Sequence, residues 1–133
     1  MNKKSFDYFD LKRKYLDFLK KNETTGKPII DKVGKLNKFY LPLSRWIYRI
    51  YKKDNKIKII GLSGGQGAGK STITKILKFI FKIKYGLELC VFSIDDFYKT
   101  RADRLKMSKK HHHLFLTRGV PGTHDIGLIN KIF

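Results

Sequence analysis

Cysteine is almost absent from this chain, and long apolar runs are absent altogether. Cys90 is the single cysteine among 133 residues, so no disulfide can form within the chain. No apolar stretch approaches the length of about 20 residues that a membrane helix needs. The basic start of the sequence, residues 1–7, has no apolar segment of the kind found in secretory signal peptides. Because free thiols persist in reducing compartments, we expect a cytoplasmic protein. Because no apolar run is long enough to span a bilayer, we expect no membrane partner.

Acidic residues are also scarce. The chain has 11 Asp and Glu against 30 Lys and Arg, which gives a formal net charge of +19. Such an excess is typical of proteins that bind nucleic acid or anionic membranes. Here the lysines are spread along the whole chain, and they accompany many Ile, Phe, Tyr and Asn residues, which share A/T-rich codons. We therefore attribute the charge to codon usage and expect no nucleic-acid partner.

Apolar residues are plentiful, at 41% of the chain with 14% aromatic, which is a globular composition with enough material for one core. Their spacing predicts helices over residues 5–22 and 40–51, within an N-terminal helical segment, 1–55. The second helix carries Pro42 in its first turn. It also carries an apolar stripe that we expect to pack on a sheet, formed by Leu43, Trp46, Ile47 and Ile50.

A glycine-rich stretch, residues 64–71, matches the phosphate-binding pattern G-x-x-x-x-G-K-[ST]. It follows a β-branched run over 56–60, which predicts a strand, and precedes helical spacing over 71–82. Glycines let successive backbone N–H groups face the oxygens of a polyphosphate, and the helix N-terminus adds partial positive charge. The Lys70 ammonium would reach the β- and γ-phosphates, and the Ser71 hydroxyl would bind Mg²⁺. A turn that binds nothing shows this pattern by chance in roughly one such chain in a hundred. We therefore expect ATP to bind at Gly64, Gly65, Gln66, Gly67, Ala68, Gly69, Lys70, Ser71 and Thr72.

A second apolar run, residues 90–94, predicts another strand. Strand, helix and strand in this order pair in parallel with a right-handed connection. Residues 56–133 are therefore predicted to form the N-terminal part of an α/β, P-loop NTPase-like three-layer fold with an incomplete parallel sheet. Ligands bind at the carboxyl ends of such strands, so Asp95 and Asp96 are expected at the same edge as the phosphate loop.

Shorter signals fill the rest of the chain. Thr100 is predicted to cap a helix with Asp103 facing back to it, and Asp125 to cap a helix that starts at Ile126. Three consecutive histidines, 111–113, invite a metal-site interpretation. Adjacent side chains converge poorly on one ion and no cysteine lies nearby, so surface histidines are the favoured interpretation.

Three segments, 61–72, 93–98 and 118–125, together resemble one family, the P-loop small-molecule kinases that include phosphoribulokinase, uridine kinase and pantothenate kinase. The sequences SIDDFY at 93–98 and RGVPGTHD at 118–125 are most similar to the D-glycerate 3-kinase branch. Gln66 and the segment 40–43 also fit that branch. The resemblance implies ATP-dependent phosphorylation of a small hydroxy compound, with D-glycerate as the leading candidate.

The resemblance also implies roles for single residues. Lys70 and Asp95 correspond to catalytic residues, with Asp95 as the base that orients the acceptor hydroxyl. Five residues fall in motifs that line the acceptor pocket: Asp96, Tyr98, Arg118, His124 and Asp125. The fork of Arg118 suits a carboxylate, and His124 could donate to a hydroxyl or to the developing phosphate charge.

Members of this family are longer and continue through further parallel strands, a later acidic motif and a basic lid. The chain is therefore expected to be the N-terminal part of such a kinase, truncated or split, with a C-terminal half chain as a partner. Two alternatives stay open. One is a uridine- or pantothenate-type kinase, and the other is an inactive ATP-binding fragment whose basic charge binds nucleic acid or a partner chain.

Overall fold

The computed structural model describes residues 7–22 and 29–132. Contacts between Cα atoms divide the chain into two compact units, Met1–Leu89 and Cys90–Phe133. The boundary expected between residues 55 and 56 stays a prediction. Among the described helices, none combines the length and apolarity that crossing a membrane requires.

Helix α1 (Tyr8–Asn22) confirms the first predicted helix over its described part. Ser5, the expected cap, lies outside the described residues. The described helix is capped by Asp7, whose carboxylate accepts the Phe9 N–H at 2.8 Å. One face buries Leu11, Tyr15 and Leu19, which are spaced four residues apart.

The next helical stretch runs through α2 (Lys32–Lys35), a π-helical turn (Leu36–Tyr40) and α3 (Leu41–Lys52). The wide turn ends at Tyr40, two residues before Pro42, where a regular helix would lack one backbone donor. Pro42 lies in the first turn of α3, as predicted. The expectation for Trp46 is wrong, because its side chain is 56% exposed while Ile47 beside it is buried.

Helix α4 (Lys70–Ile80) continues into a second π-helical turn (Phe81–Tyr85), and Gly86 ends it at φ +65°. Ile76 and Ile80 join the buried face of α1 in one cluster, together with Leu36, Tyr40 and Leu41. Leu77 and Phe81 form a second cluster with Ile47 of α3. The apolar spacing of α4 therefore serves two helical neighbours at once.

The predicted strands are not seen in the described ranges, 7–22 and 29–132, where the single β-pairing outside helices is an isolated bridge between Tyr98 and His124. Residues 55–65 and 86–93 have no regular secondary structure, and Ile57 is 92% exposed. Parallel pairs are rarely stable unless neighbouring strands and helices cover them. The parallel sheet and the three-layer fold thus stay predictions. The predicted end of the second strand at Ile94 is wrong, because Ile94 begins a 3-10 helix.

The second unit consists of short helices: a 3-10 helix (Ile94–Phe97), α5 (Arg101–Lys110), a 3-10 helix (His113–Leu116) and α6 (Ile126–Ile132). Thr100 accepts the Asp103 N–H at 3.1 Å and its hydroxyl donates to the Asp103 carboxylate at 2.6 Å, which confirms that cap. Asp125 accepts the Leu128 N–H at 3.0 Å and caps α6, as expected. In the described part of the chain, His, Cys, Asp and Glu side chains form no group of three or more that could hold a metal ion, at the histidine run or elsewhere.

Candidate functional site

The phosphate loop is a tight turn that ends in the first residue of α4. Gly67 and Gly69 have φ of +76° and +81°, in the left-handed region that favours glycine. The Ala68 N–H donates to the Gly65 carbonyl at 3.2 Å, which closes the turn. Among residues 7–22 and 29–132, no side chain forms a cap hydrogen bond at Gly69, where α4 begins. The N–H groups of its first turn therefore remain for a bound anion, which the helix dipole also favours.

Lys70 folds back over this turn. Its Nζ donates to the carbonyl oxygens of Gly64 at 2.6 Å and Gly65 at 2.8 Å. The ammonium is thereby held at the mouth of the loop, where the phosphates of a nucleotide would lie. Of the other predicted nucleotide-binding residues, Gly69 is half-buried. The rest are exposed: Gly64, Gly65, Gln66, Gly67, Ala68, Ser71 and Thr72.

Ser71 fits the expected magnesium role by its chemistry. Its exposed hydroxyl follows Lys70 in the first turn of α4. A hydroxyl oxygen is the hard donor that Mg²⁺ prefers, and the ion takes its remaining ligands from water and from the phosphates it accompanies. A cage of protein carboxylates is not needed for such an ion.

In the second unit, the backbone brings the two acceptor-side motifs together. Tyr98 and His124 form the antiparallel bridge. Hydrogen bonds flank it on both sides: the Lys99 N–H donates to the Thr123 carbonyl at 2.8 Å, and the Asp125 N–H donates to the Phe97 carbonyl at 2.7 Å. Segments 93–98 and 118–125, which carry the resemblance to kinases, are thus neighbours in space.

Their side chains form a layered cluster. The rings of Tyr98 and His124 stack with centroids 4.1 Å apart, and the Arg118 guanidinium carbon lies 5.5 Å from the Tyr98 ring centroid. The Nε2 of His124 is buried, with no hydrogen-bond partner among the described residues. A guanidinium and a phenol in one place suit a small anion that also carries hydroxyl groups.

The acidic residues of this region differ in what their carboxylates do. The Asp96 carboxylate accepts the Ser93 N–H at 2.8 Å as part of a capping box, and the Asp125 carboxylate caps α6. Both therefore hold backbone, which the resemblance does not suggest. Asp95 differs from both: the residue is exposed, and its backbone N–H donates to the Ser93 hydroxyl.

Arg104 is a neighbour of this cluster that no sequence pattern singles out. It is 8% exposed, and its guanidinium donates to the carbonyl oxygens of Lys99 and Leu116. The Ser93 cap, in contrast, had a signal, since S-x-x-D before a helix is a form of the capping box.

The chain is similar in sequence to three kinases. It is 40% identical over 96 residues to the probable ATP-dependent kinase TDA10 of Saccharomyces cerevisiae, covering 68% of this chain and 33% of that protein. It is 36% identical over 83 residues to the uncharacterized kinase mug58 of Schizosaccharomyces pombe, covering 61% and 30%. It is 31% identical over 113 residues to a chloroplastic D-glycerate 3-kinase of Arabidopsis thaliana, covering 77% and 25%.

These matches confirm the resemblance expected from the motifs. The chain spans a quarter to a third of the length of these curated relatives. No protein-family model matches it. No solved structure matches it significantly either.

Proposed function

We propose that this chain, which is related to ATP-dependent kinases that include a D-glycerate 3-kinase, takes part in transferring the γ-phosphate of ATP to a hydroxyl group of a small molecule. The observation that carries the proposal is the Lys70 ammonium folded over the glycine-rich loop that leads into α4, in a chain whose curated relatives are named as kinases. The loop amides, Lys70 and Mg²⁺ on Ser71 would neutralise the phosphates. Phosphoryl transfer depends mainly on such positioning and charge neutralisation.

The transfer itself needs a base for the acceptor. The acceptor oxygen forms a bond to the γ-phosphorus while the bridging bond between the β- and γ-phosphates breaks, and ADP leaves with the electron pair. The hydroxyl proton passes to a carboxylate, and the exposed carboxylate of Asp95 is the group we assign to this step.

For the acceptor we propose a small hydroxy acid, with D-glycerate first. Arg118 supplies a fork that binds a carboxylate through paired hydrogen bonds. Tyr98 lies beside it, and its phenol offers a polar contact to a hydroxyl group. His124 stacks on the other partner of that contact, the Tyr98 ring. The similarity to a protein named D-glycerate 3-kinase supports this choice over other acceptors.

An acceptor panel tests the proposal. ADP release with Mg²⁺ is measured for D-glycerate, glycerol, uridine and pantothenate, with acceptor-free ATP hydrolysis as the baseline. D-glycerate should stimulate release most, and glycerol, which lacks the carboxylate, should stimulate it least. If only uridine or pantothenate stimulates ADP release, the proposed acceptor is wrong but the proposed kinase activity stands. ATP binding with no stimulation by any acceptor would instead favour a nucleotide-binding fragment without transfer activity.

A further inference from the structure

Arg104 of α5 is a buried cation bonded to backbone. It is 8% exposed, its Nε donates to the Lys99 carbonyl at 3.2 Å, and its Nη1 donates to the Leu116 carbonyl at 2.5 Å. In the part of the chain that the structure describes, no carboxylate forms an ion pair with it. Burying a guanidinium is costly unless its N–H groups are bonded, and an apolar side chain would fill the same space without that cost. The two bonds to distant carbonyls are therefore what arginine contributes here.

The two carbonyls lie next to the segments 93–98 and 118–125, which carry the acceptor-side cluster. Lys99 directly follows Tyr98, and Leu116 stands two residues before Arg118. Lys99 is also bonded through its N–H to the carbonyl of Thr123, at 2.8 Å, beside His124. The Arg104 side chain thus bonds the backbone beside two parts of the cluster, and the Lys99–Thr123 backbone bond links the first of them to the third.

We propose that Arg104 is a positioning residue, which holds Arg118 against the Tyr98 ring so that the acceptor anion meets a cation already in place. The inference rests on the proposed function. Arg104 acts through the Lys99 and Leu116 carbonyls and makes no contact with the substrate. A cation fixed before binding loses less conformational freedom when the acceptor arrives, so the acceptor binds more tightly.

This role predicts a selective kinetic defect. Without Arg104, the segment that leads into Arg118 loses its anchor, whereas the phosphate loop keeps its own hydrogen bonds at Lys70. The acceptor KM should therefore rise while the ATP KM stays unchanged. A residue that merely supports the fold would lower the amount of active protein and leave both KM values as they are.

The test compares three variants of the full chain. Arg104→Met removes the donors at similar length, Arg104→Lys keeps the charge but loses the fork, and Arg101→Met is the matched control on an exposed position of the same helix. With D-glycerate as acceptor, we expect a 10- to 100-fold higher acceptor KM for Arg104→Met, a smaller rise for Arg104→Lys, and values within twofold of the parent for Arg101→Met. The ATP KM should stay within twofold throughout. If Arg104→Met does not fold, Arg104→Lys decides, and an acceptor KM equal to that of Arg101→Met overturns the proposal.

A double-mutant cycle separates this role from general stability. In an Arg118→Met background, the same change at Arg104 should raise the acceptor KM less than threefold, because its effect passes through Arg118. If the two changes, at Arg104 and Arg118, raise the acceptor KM of the double variant by the product of their separate factors, the proposal is overturned.

Hydrogen exchange keeps this inference distinct from the proposed function. If the parent chain transfers phosphate to no acceptor, the proposed function fails, and the anchor is then judged by exchange of the Lys99 amide. That amide should exchange at least tenfold faster in Arg104→Met than in Arg101→Met. Equal rates would show that Arg104 does not hold this segment.

Discussion

At the scale of single residues, the candidate site depends on charged side chains that are held in place by groups near them. Lys70 is held by two carbonyl oxygens of its own loop, and Arg118 lies over the ring of Tyr98. The carboxylates of Asp96 and Asp125 accept cap hydrogen bonds from backbone N–H groups, unlike the carboxylate of exposed Asp95. Residue type alone does not distinguish these three acids, whereas their hydrogen bonds do.

Lys70→Ala tests the phosphate loop. Removing the ammonium takes away the charge expected to meet the β- and γ-phosphates, and losing one partner of such a charge pair costs about 3 kcal/mol of binding, or roughly a hundredfold in affinity. We expect ATP affinity, measured by calorimetry with Mg²⁺, to fall by about that factor. Lys78→Ala, at an exposed position of the same helix, is the control and should bind ATP like the parent. Equal affinity for Lys70→Ala and Lys78→Ala would remove Lys70 from the site.

Asp95→Asn tests the base. The change keeps the shape of the side chain but removes its ability to take a proton, and general bases contribute about 10²- to 10⁴-fold in rate. Phosphate transfer should fall at least a hundredfold while ATP affinity stays within twofold. Glu88→Gln, which alters an exposed carboxylate paired with Lys82, is the matched control. Turnover of Asp95→Asn at the parent rate would assign the proton to another group.

At the scale of elements, α4 links the core to the phosphate loop. Its first turn receives the loop through Gly69, and its later residues Ile76 and Ile80 pack in the cluster with α1. Leu77 and Phe81 pack with Ile47 of α3. The helix that presents Lys70 is therefore fixed from two sides by buried contacts.

Gly69→Ala tests the entry into α4. Gly69 has φ +81°, where an L side chain is strained by roughly 1–2 kcal/mol, although the space around it is open. We expect urea unfolding to show a loss of that size, together with weaker ATP binding as the loop relaxes. Gly61→Ala is the control, since Gly61 also faces open space but has no left-handed φ. Identical unfolding curves for the two variants would mean that the loop conformation is not the one described.

Tyr15 tests the packing of α1 through pH. Its buried hydroxyl donates to the Lys32 carbonyl at 3.2 Å, and burial raises the pKa of Tyr15 above its ordinary value of about 10, as it also does for the pKa of Tyr40. Below pH 10 both the folded and unfolded states are protonated, so the contribution of these phenols to stability is full. As the pH rises above 10, the unfolded chain loses these protons first, and the free energy of unfolding should fall.

Urea unfolding at pH 8 and pH 11 measures this effect. Tyr15→Phe should lose about 1 kcal/mol at pH 8 with its hydrogen bond, yet lose less than the parent between the two pH values. A further Tyr40→Phe change should flatten the dependence again. An unchanged slope in the double variant would mean that these phenols are not buried in solution.

At the scale of the whole molecule, features that depend on residues close together in the sequence could be predicted, and features that depend on contacts between distant segments could not. The start of α4 and the caps at Thr100 and Asp125 were predictable, because each is decided within one helical turn. Exposed Trp46 and the partners of Arg104 were not, because they depend on contacts between distant segments. The resemblance to kinases was recognised from motifs that are short but chemically specific.

The predicted sheet belongs to the same scale. A strand needs a paired neighbour, and within residues 7–22 and 29–132 the two apolar runs have none. Local β-propensity therefore cannot decide their state, since what it measures is packing against cross-strand neighbours. The net charge of +19 also acts at this scale, and it would attract ATP and anionic acceptors most strongly at low salt.

Phosphorus NMR of the chain with ATP, Mg²⁺ and D-glycerate tests the central claim most directly. We predict that the γ-phosphate signal of ATP declines while ADP and a new phosphomonoester signal grow in equal amounts, and that Lys70→Ala suppresses all of these changes. Unchanged ATP in the presence of D-glycerate and the other acceptors, under conditions where ATP binds, would contradict the claim that this chain transfers phosphate.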